Sequence, residues 1–186
     1  MSVLNSLSSR ALAAPESGIV EVKKYAHARA NLLPLWVGEG DLPTPDFIAR
    51  AAADALTSGE TFYTWQRGIP ELRAALSRYY ARRFGISLPA EHFYVVGSGM
   101  QAIKLAIEAL ASPGDDMVYL TPAWPNFAAA AELSGANPIA VPLDFANGRW
   151  QIDLARVEAA ITPKTRALFI NTPSNPTGWT ADHETL

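Results

Sequence analysis

The segment Ala167–Gly178, with the sequence ALFINTPSNPTG, gives the clearest indication of the fold. The apolar run Leu168–Ile170 is typical of a buried strand, and it ends abruptly at Asn171. Pro173 and Pro176 then exclude the continuation of a strand or a helix, because proline lacks an N–H donor and has a fixed φ. The segment is therefore predicted to be a rigid loop at the carboxyl end of a buried strand, where open α/β sheets bind their ligands.

Strands and helices alternate in the part of the chain that leads to this segment. Strands are predicted at 93–96, 117–120, 138–142 and 166–170, and helices at 100–111, 126–134 and 154–160. Such an alternation predicts an α/β fold with a mostly parallel sheet and helices on both faces. The helix at 100–111 is apolar except for a narrow polar stripe of Gln101, Lys104 and Glu108, which predicts that it is buried.

The earlier part of the chain carries weaker signals. A short strand is predicted at Leu35–Val37. It is followed by a helix that Thr44 caps and that ends near Ser58, and by a second helix that begins at Pro70 and ends at Gly85. The predicted solvent-facing side of the second helix carries the arginines Arg73, Arg78 and Arg82.

Composition excludes several classes of function. The chain has 186 residues, of which 49% are hydrophobic, and a net charge of -3, which predicts a folded core and no nucleic-acid partner. There is no cysteine and the three histidines are scattered, so no metal site is predicted. No window approaches the roughly 18 apolar residues of a membrane span. The N-terminal stretch has only Arg10 as a basic residue and no compact apolar region, which predicts a cytoplasmic protein rather than a secreted one.

Three loops that follow predicted strands carry residues able to bind a ligand. Ser98 and Gly99 lie at the start of a helix, where backbone N–H groups and the helix dipole favour an anion. Trp124 lies beside Pro125 and offers a flat face for stacking, and the amide of Asn175 can both donate and accept a hydrogen bond. Each feature also has an ordinary structural explanation: a common Gly-Ser-Gly turn, a tryptophan in a core or an interface, and a proline-rich turn. Together the loops suit a planar, aromatic, phosphorylated ligand that carries oxygen.

Five motifs in this order carry a resemblance to a known family. They are LWVGEGDLPTP at 35–45, YTWQRGIPELRAAL at 63–76, VVGSGMQAIKLA at 95–106, TPAWPNF at 121–127 and NTPSNPTG at 171–178. From about Gly18 onward the chain resembles the N-terminal half of a class I/II aminotransferase, a fold type I family that uses pyridoxal 5′-phosphate (PLP). The resemblance implies an N-terminal arm with part of a small domain at 1–45, and a truncated large PLP-binding domain at 46–186.

The resemblance also implies a cofactor site. Asn175 matches the asparagine that hydrogen-bonds the phenolic oxygen of PLP, and Trp124 matches the aromatic residue that stacks on the pyridine ring. Ser98, Gly99 and Met100 match the turn that holds the phosphate. Where many relatives have serine or threonine, Met100 can offer only its backbone N–H.

Two further residues receive roles from the same resemblance. Tyr63 matches a tyrosine that reaches the phosphate of the neighbouring subunit's cofactor, which implies a homodimer. Gly38 matches a glycine whose backbone contacts the substrate carboxylate. Family members often have a cis peptide bond at the position of Asn175–Pro176.

The implied reaction is the transfer of an amino group from an α-amino acid to a 2-oxo acid, with PLP as the electron sink. This reaction needs a lysine that forms a Schiff base with PLP, and the family places that lysine well downstream of the NPTG motif. The lysines of this chain are Lys23, Lys24, Lys104 and Lys164, and none matches that position. No catalytic residue is therefore assigned, and the chain is expected to be a fragment that is inactive alone.

Three alternatives remain open from the sequence. The first is a non-catalytic PLP-binding module of aminotransferase type, and the second is a related PLP lyase built on much the same N-terminal scaffold. The third is a nucleotide-binding α/β domain, which is disfavoured because neither a P-loop nor a G-x-G-x-x-G motif is present. The sequence does not indicate which amino acid is the substrate.

Overall fold

A computed structural model of the chain describes residues 6–14, 17–27, 29–36 and 38–186. The helices are α1 (Ser9–Ala13), α2 (Gly18–His27), α3 (Asp46–Thr57), α4 (Pro70–Phe84), α5 (Gly99–Leu110), α6 (Asn126–Ser134) and α7 (Leu154–Ala160). The strands are β1 (Asp116–Thr121), β2 (Asn137–Pro142), β3 (Asp144–Ala146), β4 (Arg149–Gln151) and β5 (Thr165–Phe169). Within the described ranges, no helix has both the length and the apolar character that crossing a membrane requires.

The chain divides into two compact units. The sheet unit combines the residues up to Tyr25 with Ser98–Leu186, and the helical unit is Ala26–Gly97. The sheet unit contains every strand of the described residues, whereas α3 and α4 belong to the helical unit. The domain boundary predicted between residues 45 and 46 stays a prediction.

The main sheet is parallel and has β1 at its centre. Its strand order is β2-β1-β5, and Val118 of β1 is level with Ile139 of β2 and Leu168 of β5. Successive side chains of a strand point to opposite faces, so a central strand can be apolar on both. Met117 and Val118 are accordingly both buried, with 2% and 0% of their surface exposed.

Helices cover both faces of the sheet, as the alternation predicts. On the first face, Met117 packs with residues of α5 and α6 in a cluster of Ile107, Met117, Phe127, Ala130, Ala131 and Ala136. On the second face, α7 and the end of the chain contribute to a cluster of Val118, Leu120, Val141, Leu143, Val157 and Trp179. The predicted α/β class with a mostly parallel sheet is confirmed.

Helix α5 is less buried than its sequence predicts. Ile107 is its buried residue, whereas Leu105 and Leu110 are 43% and 55% exposed. An apolar groove of about 360 Å³ runs between α5 and β5. These α5 side chains are exposed because β5 is an edge strand, so the part of α5 beyond β5 has no sheet to pack on.

The strand predicted at 93–96 is wrong. This segment follows a single 3₁₀ turn at Ala90–His92 and pairs with no strand of the described residues. Phe93 packs against Tyr80 of α4 with ring centroids 5.2 Å apart, and the Val95 N–H donates to the carbonyl of Arg67 at 3.0 Å. This apolar run is therefore a linker that packs on α4, because no strand of the described residues lies beside it to share hydrogen bonds.

Three other local predictions for the helical unit need correction. Leu35 and Trp36 form no strand, and Val37 lies outside the described residues. Helix α3 begins after Pro45 without a side-chain cap, so Thr44 is not its cap. Arg73 does not belong to a solvated face: its guanidinium donates to the carbonyls of Ala90 and Phe93 at 2.9–3.1 Å.

A β-hairpin formed by β3 and β4 was not predicted. Its strands are antiparallel, and they are joined by Asn147 and Gly148 with φ of 54° and 74°. Two successive residues with positive φ form a type I′ turn, for which Asn-Gly is the preferred sequence. Phe145 and Trp150 pack across the hairpin with ring centroids 5.0 Å apart. The Asn-Gly pair was the signal that could have revealed it.

Asp115 links the start of β1 to the start of β5, and we expect this link to weaken in acid. Its carboxylate accepts from the Ser112 N–H at 2.8 Å and pairs with Arg166 at 3.1 Å. The Ser112 hydrogen bond, followed by the Arg166 contact, lowers the pKa of Asp115. Since the folded pKa lies below the unfolded one, the stabilisation is complete above about pH 4 and is lost as the pH falls through the folded pKa.

Asp115→Asn should therefore lower the free energy of unfolding at pH 7, and the difference from the wild type should shrink as the medium becomes acidic. Urea denaturation at a series of pH values measures this. Glu158→Gln, at an exposed position on α7, is the control. A difference that stays constant across the acidic range would contradict the role of the carboxylate.

Candidate functional site

Two loops meet at the carboxyl edge of the sheet. The β1 loop, defined as residues 122–125, follows β1, and the β5 loop, defined as residues 170–178, follows β5. Because β1 and β5 are parallel neighbours, both loops leave from the same edge. Trp124 of the β1 loop lines one small cavity with Asn171 and Ser174 of the β5 loop. The cavity has a volume of about 20 Å³, which is roughly the space of one water molecule. A ligand in this region would therefore contact the solvent-accessible part of Trp124 rather than enter the cavity.

The β1 loop is short and held at both ends. Leu120 of β1 is buried before it, and Phe127 of α6 is buried after it. The carbonyl of Thr121 accepts a hydrogen bond from the Leu143 N–H at 2.7 Å. Trp124 is half-buried, so one part of its ring system packs against the protein and another meets solvent. This is the arrangement that a stacking residue needs.

The β5 loop is closed by hydrogen bonds of its own. The Ser174 N–H donates to the carbonyl of Trp179 at 2.8 Å, and the Gly178 N–H donates to the carbonyl of Ser174 at 2.8 Å. The side-chain oxygen of Asn171 accepts from the Asn175 N–H at 3.0 Å. Gly178 adopts a φ of 70°, which favours glycine and lets the chain turn back. These hydrogen bonds fold the loop into a compact ring.

Trp179 anchors this ring to the core. Its surface is 9% exposed, and it belongs to the cluster that contains Val118 and Leu120 of β1. Its backbone N–H donates to the hydroxyl of Thr177 at 3.2 Å. The β5 loop is thus tied to the sheet twice, through β5 itself and through the buried indole.

The start of α5 lies at the same edge. Helix α5 is followed by a short connection to the start of β1, so the helix runs back along the sheet and its N-terminus lies near the strand ends. Met100 packs on the cluster to which Phe169, the last residue of β5, also contributes. The first turn of α5 therefore packs on the same core cluster as the end of β5.

The electrostatics of this helix start favour an anion. The hydroxyl of Ser98 accepts from the Gln101 N–H at 3.1 Å and so caps the helix. Gly99 and Met100 are the first residues of α5, and the first N–H groups of an α-helix have no acceptor within the helix. The first turn of α5 contains no acidic residue. Apart from its chain neighbours and the backbone of its own helix, no heavy atom of the described residues lies within 4 Å of the place that a Cβ would take on Gly99, so the Cα side of this residue is open.

The predicted site residues fall into two groups. Ser98, Gly99, Met100, Trp124 and Asn175 share the carboxyl edge of the sheet unit, and Asn175 is exposed there. The cis peptide bond expected at Asn175–Pro176 is present.

Tyr63 and Gly38 belong to the helical unit. Both are exposed, and Tyr63 has the full surface of a free side chain. Their roles toward a partner subunit and a substrate stay predictions.

Neither Lys104 nor Lys164 reaches this edge. The Lys104 amine donates to the hydroxyl of Ser134 at 2.6 Å and pairs with Glu108 at 3.1 Å. Ser134 ends α6 close to where β1 begins, which is the amino edge of the sheet. The carbonyl of Lys164 accepts from the Asp116 N–H, so Lys164 also lies at that edge. The other two lysines, Lys23 and Lys24, are exposed on α2.

A family model described as aminotransferase class I and II matches residues 30–186. The chain belongs to this aminotransferase family. Proteins of the aspartate aminotransferase group within it use pyridoxal phosphate. The match covers all five motifs on which the resemblance depends.

The curated relatives are about twice as long as this chain. It is 36% identical to the probable aspartate/prephenate aminotransferase of Thermus aquaticus over 156 residues, which are 84% of this chain and 40% of that protein. It is 35% identical to the aspartate aminotransferase of Pyrococcus horikoshii, covering 96% of this chain and 45% of the relative. The chain therefore spans less than half the length of these aminotransferases.

Solved aminotransferase structures have the same fold. A single mutant of Thermus thermophilus aspartate aminotransferase superposes with a TM-score of 0.89 at 35% identity, covering 96% of this chain and 48% of that one. The N-succinyldiaminopimelate aminotransferase of Mycobacterium tuberculosis superposes with a TM-score of 0.86 at 26% identity, covering 96% and 47%. The fold type I large domain expected from the sequence is confirmed.

Sequence reasoning missed the residues that hold the β5 loop in place. These are Asn171 and Trp179, together with Thr172, whose hydroxyl accepts from the Ala181 N–H at 2.9 Å. The recurrence of asparagine and threonine around prolines was an available signal, since such side chains hydrogen-bond nearby backbone in turns. Nothing in the sequence marks Trp179 as buried.

Trp179→Ala should loosen the β5 loop and lower the free energy of unfolding by about 3 kcal/mol, because it empties the space of a buried aromatic residue. Urea denaturation measures the change. Trp65→Ala is the matched control: Trp65 is 71% exposed, and we expect its loss to cost less than about 0.5 kcal/mol. Equal costs for the two variants would show that Trp179 does not anchor the loop.

Proposed function

We propose that this chain forms the cofactor-holding part of a PLP-dependent aminotransferase, which transfers an amino group from an α-amino acid to a 2-oxo acid. The observation that carries the proposal is the meeting of Trp124, the β5 loop with Asn175 and the start of α5 at one edge of a parallel sheet. Ligands of open α/β sheets bind at this edge. When bound, PLP supplies the electron sink for the reaction.

The proposed contacts follow from the chemistry of each residue. The hydroxyl of Ser98 and the N–H groups of Gly99 and Met100 bind the phosphate at the positive end of the α5 dipole. Trp124 stacks on the pyridine ring, and the amide of Asn175 donates to the phenolic oxygen. The exposure of Asn175 and the open space beside Gly99 support these assignments.

The helical unit contributes the remaining proposed contacts. The backbone of Gly38 binds the substrate carboxylate, and Tyr63 reaches the phosphate in the neighbouring subunit of a homodimer. The full exposure of the Tyr63 side chain supports a role in contacts outside its own unit. We also propose a cytoplasmic location, which rests on the sequence alone.

Loss of either proposed cofactor contact should weaken PLP binding. We expect Trp124→Ala to raise the Kd for PLP about tenfold through lost stacking, and Asn175→Ala to raise it about fivefold through one lost hydrogen bond. Equilibrium dialysis of the purified chain with PLP gives the Kd values.

Two controls sharpen this measurement. Trp124→Phe keeps an aromatic face and should retain most of the affinity, and Gln151→Ala removes an exposed amide from the β3–β4 hairpin and should change nothing. Absence of saturable binding by the wild-type chain would overturn the proposed cofactor site.

The positions of the lysines favour a second candidate for the chain on its own, namely a PLP-binding module without a covalent anchor. The Lys104 amine is bound to Ser134 and Glu108 at the amino edge, and the main chain of Lys164 lies at the same edge, opposite the proposed site. The same site would then hold PLP through hydrogen bonds and stacking alone.

Borohydride reduction of the chain in the presence of PLP should therefore produce no saturable labelling of one lysine. Peptide mapping after reduction measures this, and reduction of free PLP with a lysine-rich peptide controls for non-specific labelling. Labelling of a single lysine that saturates with PLP would show that this chain carries the anchor and would overturn the second candidate.

A further inference from the structure

We propose that Asn171 is a positioning residue, which fixes the main chain at Asn175 and thereby prepares the Asn175 amide for the phenolic oxygen of PLP. The proposal deepens the proposed function and rests on it. Neither the family motif as matched here nor the chemistry of the cofactor assigns Asn171 a role.

The geometry that carries the proposal is a side-chain to main-chain hydrogen bond across the β5 loop. The side-chain oxygen of Asn171 accepts from the Asn175 N–H at 3.0 Å. Asn171 stands two residues after the end of β5, close to where the chain leaves the sheet. The bond therefore connects this position to the main chain of a residue four positions further along.

The other hydrogen bonds of the loop do not use the Asn175 N–H, although the Ser174 carbonyl that accepts from Gly178 belongs to the same peptide unit. The bonds that close the ring join Ser174 to Trp179 and Gly178 to Ser174. The residue after Asn175 is Pro176, which has no N–H to donate. Asn171 is therefore the side chain that, in the described part of the molecule, accepts directly from the Asn175 N–H, and it restrains this peptide unit together with the bond from Gly178 to the Ser174 carbonyl.

For a ligand, the consequence is that the direction of the Asn175 side chain is set before binding. The Asn175 side chain is exposed, and the described residues give it no hydrogen-bond partner, so its direction depends on its own main chain. If that main chain were free, a ligand would have to order it during binding, which weakens affinity. Asn171 removes this cost before the ligand arrives.

The alternative is that Asn171 stabilises the loop in general, with no specific link to Asn175. A double-mutant cycle separates the two explanations. If Asn171 acts through Asn175, removing Asn171 after Asn175 has already lost its amide should cost nothing more.

The experiment measures the Kd for PLP of the full 186-residue chain by equilibrium dialysis. We expect Asn171→Ala to raise the Kd about fivefold, the worth of one hydrogen bond, and Asn171→Ser to restore part of it, because a serine hydroxyl accepts in similar turns more weakly. The double variant with Asn175→Ala should bind as Asn175→Ala alone does. Additive losses, or an unchanged Kd for Asn171→Ala, would overturn the proposal.

A second measurement does not depend on PLP. Hydrogen exchange of the Asn175 amide, followed by NMR, should be slowed in the wild type and accelerated in Asn171→Ala. Thr172→Ala is the matched control, because the Thr172 hydroxyl holds the Ala181 N–H at the other end of the loop and should leave the Asn175 amide protected.

The two measurements distinguish the possible failures. If the wild type does not bind PLP, the proposed function fails, and the exchange data still decide whether Asn171 orders Asn175. If PLP binds but the exchange of the Asn175 amide is the same in both proteins, the positioning role of Asn171 is overturned while the cofactor site stands.

Discussion

The parallel pairing of β1 with β2 and β5 is the constraint on which the rest of the sheet unit depends. A parallel neighbour can be reached only by a crossover, so each strand must be followed by a connection that returns the chain to the amino edge. Both faces of β1 are buried, as Met117 and Val118 show, so the helices must cover both sides. The loops that leave the strands then collect at one edge. The candidate site is the outcome of this topology as much as of its own residues.

Much of this arrangement was accessible from the sequence. Strands β1, β2 and β5 and helices α5, α6 and α7 lie within about two residues of their predicted limits, because glycine, proline and capping residues mark the ends of each element. Asp153, for example, caps α7 through its side chain, which accepts from the Arg156 N–H. The strand predicted at 93–96 failed for a reason that no local pattern can reveal, since a strand exists only where another strand offers it an edge. The burial of α5 was overestimated on similar grounds, because a helix surface is covered only if something lies against it.

The candidate site divides in the same way. Residue types with suitable chemistry, such as Trp124 and Asn175, could be identified from motifs, since stacking and amide hydrogen bonding depend on the side chain itself. The residues that hold these side chains in place could not be identified from motifs. The bond from Asn175 to Asn171 and the burial of Trp179 depend on how the β5 loop folds back on the sheet, which is a property of the three-dimensional chain. The residues proposed to contact the ligand could be identified in the sequence, whereas the residues that hold them in place could be identified only in the fold.

The location of Lys104 and Lys164 has a chemical meaning of its own. The carboxyl edge presents hydrogen-bond donors and the indole of Trp124, whereas the Lys104 amine is bound to Ser134 and Glu108 at the opposite edge and the main chain of Lys164 lies there as well. If the proposed function holds, an aldehyde at the carboxyl edge would be bound without a Schiff base to Lys104 or Lys164, because neither lysine reaches it. Under the proposed function, selection of the ligand by shape and charge would thus be separated from bond formation. A molecule that fits this surface poorly would leave it chemically unchanged.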